Sequence, residues 1–418
     1  MTTTFDRVRT STSTSTKPGA PRHTTLVVVL GLLTALGPFT IDLYLPALPA
    51  IARELHAGES AVQMTLTGTL VGLGVGQLVI GPVSDAVGRR RPLLAGIALH
   101  IVASLLCAIS PGVLLLGTLR FLEGLGAAAA AVIAMAVVRD RFTGHTAATV
   151  LSRLILVVGA SPVLAPTVGA QLLRWTDWRG IFLALAVVGA ATALFAGFTL
   201  PETLPAVQRR SGGVRTTAAD YRRLLRDRVY VGLVLVTGLS MAALFAYVAG
   251  SSFVLQEQFG LSKQQFGVVF AVNAVALIGT PQLNVWLLRR FTPYRILHTA
   301  LAAGAVLAVL LLIVTLTGVG GLPGILLPLF LVLAAVGFRG PNATALALSR
   351  HGEAAGTAAS LLGAVQFGVG GLAAPLVGLL GNDAVAMAAV IVLASLAALG
   401  VLLVLVRPDR VGHAEAGA

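Results

Sequence analysis

The sequence predicts an all-α polytopic membrane protein with twelve transmembrane helices in two pseudo-symmetric six-helix halves. The first observation behind this is composition. The 418 residues are 56% hydrophobic and only 11% charged, with mean hydropathy +0.92, whereas a water-soluble chain carries roughly 25% charged residues. The second is run length. About 20 apolar residues cross a bilayer as a helix, and such runs fall at 24–47, 61–83, 92–110, 112–138, 148–173, 179–200, 229–255, 264–288, 294–317, 323–348, 354–380 and 383–406. The third is where the charges lie.

The formal net charge of +13 is not a nucleic-acid signature, because it is sorted by side. With the N-terminus placed inside, 23 of the 29 basic residues fall in inner segments and four in outer ones (Arg53, Arg174, Arg179, Lys263). That asymmetry is the positive-inside pattern and puts both termini in the cytoplasm. The expected division is a disordered cytoplasmic tail over 1–23, a first bundle over 24–200, a basic linker over 201–228, a second bundle over 229–406 and a cytoplasmic tail over 407–418. The first apolar run is too long for a signal-peptide core and eleven more follow, so it reads as the first span.

Several chemistries are disfavoured. The single cysteine, Cys107, excludes an intramolecular disulfide, and the seven scattered histidines show no metal-ligand spacing. No metal is expected. The only lysines, Lys17 and Lys263, are followed by Pro18 and Gln264, so no phosphate-cradling loop is present. No cofactor is expected. An internal duplication is legible in APTVG (165–169) of the fifth span and APLVG (374–378) of the eleventh. A weaker echo links 81–94, after the second span, with 279–297, at the eighth. The linker stretch 218–230 is basic and partly amphipathic, which suits a connector at the lipid surface, with lipid-dependent regulation as the other reading.

The turn GPVSDAVGRRRPLLAG (81–96) is the most specific motif. Gly81 permits close helix approach, Asp85 can meet the N-terminal end of a neighbouring helix, Gly88 makes the turn, and Arg89, Arg90 and Arg91 hold the loop inside. The segment resembles the signature loop of the major facilitator superfamily, with Ala86 where the family carries its first arginine. The likeness runs over about 26–406. IDLYLPALPAI (41–51), VQMTLTGTLVGLGVGQLVIGPVSD (62–85), AVVRDRF (136–142), WRGIFLALA (178–186), YVAGSSFVLQEQFGLSKQQFG (247–267), PNATALAL (341–348) and GTAASLLGAVQFGVGGLAAP (356–375) are similar to the bicyclomycin-resistance and chloramphenicol-exporter branch. The resemblance implies the major facilitator fold and a drug:proton antiporter of a bacterial cytoplasmic membrane.

Asp42 is the residue that most needs a reason. It lies in the outer half of a long first span that Pro46 and Pro49 kink and that continues to near Arg53. Intramembrane acids are costly and face the bundle interior. Such a carboxyl serves a proton or substrate site, or it is a tolerated polar group near the interface. Tyr44 either joins the same cavity or anchors at the interface.

In RFLEGLG (120–126), Arg120 and Glu123 share one face of the fourth span and can pair. The segment resembles the family's R-F-x-Q-G-x-G motif, with Glu123 in place of glutamine. The resemblance gives Arg120 a role in coupling proton and substrate; a structural ion pair is the alternative. GASPVLAPTVGA (159–170) looks like the antiporter motif, carried by Gly159, Pro162, Pro166 and Gly169, with Ala170 departing from its closing glycine pair. Packing alone would also explain such residues. Arg339 in the tenth span either binds an anionic or polar substrate group or snorkels to the inner face.

The reading is therefore a transporter rather than an enzyme or sensor, with nutrient uptake on the same scaffold as the nearer rival. Expected partners are small amphipathic drugs, protons and the lipid bilayer, not nucleic acid, and the chain is expected to be a monomer powered by the proton gradient. By family analogy the cavity draws on spans 1, 4, 5, 7, 8, 10 and 11.

Overall fold

Apolar run length sets the architecture. In the computed structural model, residues 23–209, 214–351 and 355–406 are described, all helices and connections with no strand among them. The tails expected over 1–23 and 407–418 lie outside these residues except for His23, as do linker residues 210–213. Among the described residues, twelve helices are long and apolar enough to cross a membrane.

The first span is broken. Helix α1 (His23–Asp42) gives way to a 3-10 turn (Leu45–Ala47) and then α2 (Leu48–Glu54). Pro46 and Pro49 each open a new helical segment, where a missing N–H costs nothing. Helices α3 (Glu59–Val87), α4 (Arg90–Ala108), α5 (Val113–Arg141), α6 (Gly144–Leu172) and α7 (Trp178–Thr199) complete the first half. Helix α8 (Val214–Arg226) belongs to the linker. The second half comprises α9 (Arg228–Phe253, extended by a π turn to Gln258), α10 (Lys263–Leu287), α11 (Pro293–Thr317), α12 (Gly321–Ser349), α13 (Ala355–Leu379) and α14 (Ala384–Leu405). Polar side chains start several of these. Asp177 caps α7, Asp227 caps α9, Ser262 forms a capping box with Gln265 on α10, Thr292 caps α11 and Asp383 caps α14.

Lipid supplies no hydrophobic drive between spans, so close helix approach depends on small residues. Gly72 of α3 lies against the Phe121 carbonyl of α5, and Gly124 of α5 lies against the Thr69 carbonyl of α3. A side chain at either would drive the helices apart. The halves meet along two seams, α3 with α13 and α6 with α10. The duplicated glycines serve these approaches differently: Gly169 presses on the Leu43 carbonyl within its own half, whereas Gly378 presses on Ser60 and Gln63 of the other half. Both ends of the described chain and α8 lie on one side, the terminal face.

Candidate functional site

Between the halves lies a cavity of about 310 Å³. Its walls come from spans 1, 4, 5, 7, 8, 10 and 11, as expected, and also from α3 through Leu73 and Gln77. The lining is mostly apolar. Phe245, Phe270 and Phe367 supply ring faces, and the polar groups are Thr34, Asp42, Gln77, Tyr247 and Asn273. Tyr247 stacks on Phe270 at 5.2 Å and accepts a hydrogen bond from Asn273 Nδ2 at 3.2 Å.

Asp42 is the one acid on this wall, and it is 6% exposed. Among the described residues, no side chain forms a hydrogen bond or ion pair with its carboxyl. It is the last residue of α1, where the regular helix stops ahead of the proline-rich turn. A carboxyl buried without a cation is held there at a cost of several kcal/mol unless it takes up a proton.

A second polar cluster lies beside the cavity, inside the first half. Arg120 Nη1 donates to Glu123 Oε2 at 2.6 Å, and Ser104 Oγ donates to Glu123 Oε1 at 2.5 Å. Arg120 Nη2 donates to the Thr40 carbonyl at 2.8 Å, and the guanidinium sits 4.1 Å over the Tyr44 ring. Tyr44 Oη meets Thr65 Oγ1 at 3.0 Å, whose own hydrogen goes to the Val62 carbonyl, so the tyrosine donates. His100, which sequence reasoning passed over, joins this group through Thr40 Oγ1 at 2.9 Å. Arg120, Glu123, Tyr44 and His100 are all fully buried.

The expected ion pair is thus present, but Tyr44, Arg120 and Glu123 do not line the cavity. Arg120 precedes the cavity residue Ala131 by eleven positions, about 16 Å along α5. At that depth the segment Thr40–Tyr44 closes over it. Arg339 departs from both readings given above. It is fully buried between α11 and α12, with Nε donating to the Ala300 carbonyl at 3.4 Å and the guanidinium packed on Gly304. The absent side chain at Gly304 makes that room, so Arg339 reaches neither the cavity nor the terminal face.

In α6, Pro162 lines the cavity, whereas the other motif residues build the seam or pack within their own half. Gly159 faces Ile278 of α10, the Pro166 carbonyl lies beside Gly267, and Gly169 packs on Leu43. The departing Ala170 offers its carbonyl to Gln264 Nε2 at 3.1 Å.

At the terminal face, Arg89 organises the loop. Its Nη1 donates to Asp85 Oδ1 at 2.5 Å and to Ser84 Oγ at 2.7 Å, and its Nε donates to Asp140 Oδ2 at 3.1 Å. Asp85 therefore pairs within its own loop, rather than with the N-terminal end of a neighbouring helix, because Arg89 lies one turn away. Burial works against the Arg89 charge, yet Asp140 and Asp85 outweigh it and push its pKa up. Gly88 holds φ +99°, a left-handed backbone that favours glycine, and Gly81 faces Ser360 across the seam. The backbone N–H groups of Arg89 and Arg90 donate to Glu202 at 2.8 and 3.3 Å, and Arg90 Nη2 donates to the Gly197 carbonyl at 2.7 Å. Burial raises the Glu202 pKa, but these N–H bonds and that from Leu204 hold it below the usual value. Glu202 was also missed; its signal is a lone acid in PETLP (201–205) directly after the sixth span.

On the opposite face, polar contacts join the halves. Arg53 Nη1 pairs with Glu257 Oε1 at 2.5 Å, and Ser252 Oγ donates to the Leu45 carbonyl at 2.8 Å. Gln63 donates to Asn382, which in turn donates to Glu59. Further along the same α3–α13 seam, Gln77 packs against Gly363.

Comparisons with known proteins agree with this fold. A family model described as Major Facilitator Superfamily matches residues 30–375. The chain is 36% identical over 406 residues to the uncharacterized MFS-type transporter YdgK of Bacillus subtilis, covering 95% of this chain and 98% of that one. It is 31% identical to the bicyclomycin resistance protein homolog of Haemophilus influenzae, covering 86% and 90%. To the multidrug resistance protein MdtL of Escherichia coli K12 it is 32% identical, covering 66% and 71%. Among solved structures, a D-xylose-proton symporter superposes with a TM-score of 0.69 at 19% identity, covering 90% and 96%. A partially occluded inward open conformation of the xylose transporter XylE gives 0.72 at 13%, covering 91% and 97%. At these identities the structures speak for the fold alone.

Proposed function

The chain belongs to the major facilitator superfamily, as a multi-pass membrane transporter and not an enzyme, and on that premise we propose that it exports small amphipathic drugs or antibiotics in exchange for protons. The observation that carries the proton part is Asp42. A nearly buried carboxyl with no cation beside it, on the wall of the central cavity, can load a proton on one side and release it on the other as access alternates. The aromatic and aliphatic lining suits compounds with ring systems and few polar groups better than sugars. Relatives named for bicyclomycin and multidrug resistance support the same substrate class.

Both termini face the cytoplasm in this reading, so the polar contacts on the opposite face close the outer side, and the chain works as a monomer. The driving force is adequate: one proton gains about 2.3 kcal/mol per 100 mV and about 1.4 kcal/mol per pH unit. The test uses inside-out vesicles that are acid inside, challenged with chloramphenicol and with ethidium. Exchange predicts that either compound, when carried, dissipates the pH gradient. Transport of a compound with the gradient intact contradicts proton exchange, and a gradient held for uptake by symport separates that rival.

A further inference from the structure

Among the described residues, His100 is the one histidine buried completely. Its partner fixes its protonation. Thr40 has a single hydroxyl hydrogen, which goes to the Leu36 carbonyl at 2.7 Å. The hydrogen in the 2.9 Å contact between His100 Nε2 and Thr40 Oγ1 therefore belongs to Nε2, which donates. Nδ1 is then a bare acceptor, and no group bonds to it. The fold makes room for the ring: a side chain on Gly189 of α7 would lie 3.2 Å from Nδ1, and one on Gly126 of α5 would lie 2.9 Å from the His100 Cβ. An arrangement that leaves Nδ1 unsatisfied and still reserves this space is organised around the Nε2 donor.

Thr40 is gripped twice. His100 holds its side chain, and Arg120 Nη2 holds its carbonyl at 2.8 Å. Asp42 follows two residues later, about 200° around the helix, so Thr40 faces the bundle while Asp42 faces the cavity. Regular α-helix ends at Asp42. No further α-helical turn fixes its direction, and the doubly held Thr40 is the last polar anchor before it.

We propose that His100 is a positioning residue for the cavity carboxyl, acting through Thr40 to set the direction of Asp42. This rests on the reading of Asp42 as the proton site. The charged groups around the ring are Glu123, with Oε1 at 3.9 Å, and Arg120, both from α5, and Cys107 lies two turns along α4. α7 presents Gly189 there. At 3.9 Å Glu123 Oε1 lies beyond hydrogen-bond reach of Nε2, which leaves Thr40 Oγ1 at 2.9 Å as the acceptor for Nε2–H.

The test needs no substrate. Dicyclohexylcarbodiimide adds to protonated carboxyl groups, so labelling of Asp42 in the purified full-length protein, read by peptide mass spectrometry from pH 5 to 9, traces its titration. His100→Leu removes the donor and is expected to move the midpoint by about one pH unit, a tenfold change in proton affinity. His100→Gln offers an amide donor in its place and keeps the wild-type midpoint. Thr40→Ala breaks the same contact from the other side, shifts the midpoint equally, and adds nothing further in the double variant with His100→Leu. An unmoved midpoint in both single variants, or shifts that add in the double, overturns the positioning role. An Asp42 that labels at no pH in the wild type overturns the carboxyl reading beneath it. Transport measured in vesicles is independent of both readouts.

Discussion

Arg120 and Glu123 close a 2.6 Å ion pair at i, i+3 within α5, with both side chains fully buried. Removing one partner from such a pair strands a charge and costs about 3–5 kcal/mol, whereas replacing both by apolar groups is often neutral. Arg120→Ala is therefore expected to lower the unfolding temperature sharply, and Arg120→Leu with Glu123→Leu to recover much of the loss. Glu123→Gln keeps an acceptor for Arg120 and falls between. Because the Glu123 carboxyl does not reach the cavity, Glu123→Gln should leave the ratio of ethidium to chloramphenicol transport unchanged. Thermal unfolding in detergent and paired transport assays check this, and a selective loss of ethidium transport would place Glu123 in contact with substrate.

Arg53 and Glu257 tie the halves together on the face away from the termini. Alternating access requires that this contact open once per cycle. With Arg53→Cys and Glu257→Cys in one chain, a short bis-thiol-reactive linker is expected to abolish transport, and reductive cleavage of that linker to restore it. Cys107 is buried and does not compete. Full transport by a quantitatively linked protein would contradict an obligatory opening of this contact.

Glu202 accepts the backbone N–H groups of Arg89 and Arg90, and its pKa is depressed in the folded protein. A depressed carboxylate contributes stability above its unfolded value, and that contribution disappears as pH falls through the folded value. Hydrogen exchange at Gly88–Arg90 should accordingly be slow at neutral pH and lose protection in acid, below the ordinary glutamate range. Glu202→Gln should show the weaker protection at every pH. A wild-type loop whose protection does not change across that window would contradict the anchor.

Orientation is tested by reporter fusions. Fusions after 145 and 215 should read cytoplasmic and those near 56, 176 and 260 external, because the basic residues are sorted that way. An external reading at 215 would overturn it.

What the sequence made legible is local. The twelve spans stand within a few residues of their apolar runs, and the first continues to Glu54 as expected, because Pro46 and Pro49 restart helices instead of ending the span. Arg120 and Glu123 were readable as a pair because three residues of helix bring them together. His100 with Thr40 is separated by 60 residues, Arg89 with Glu202 by 113 and Gln63 with Asn382 by 319. Contacts of that range depend on how each helix is rotated and how deep it sits, which periodicity in one chain does not fix. Arg339 shows the same limit: its burial depends on Gly304 in another span facing it.

Asp42 is proposed as the proton-carrying group of the cavity. The direct measurement compares purified wild-type protein and Asp42→Asn in liposomes, following transport of chloramphenicol and of ethidium driven by an imposed pH gradient. The asparagine is nearly the same size and stays neutral, so the variant should insert and fold normally while losing gradient-driven transport. Asp42→Asn that retains the full response to the pH gradient would contradict the account and leave Asp42 as a tolerated polar residue.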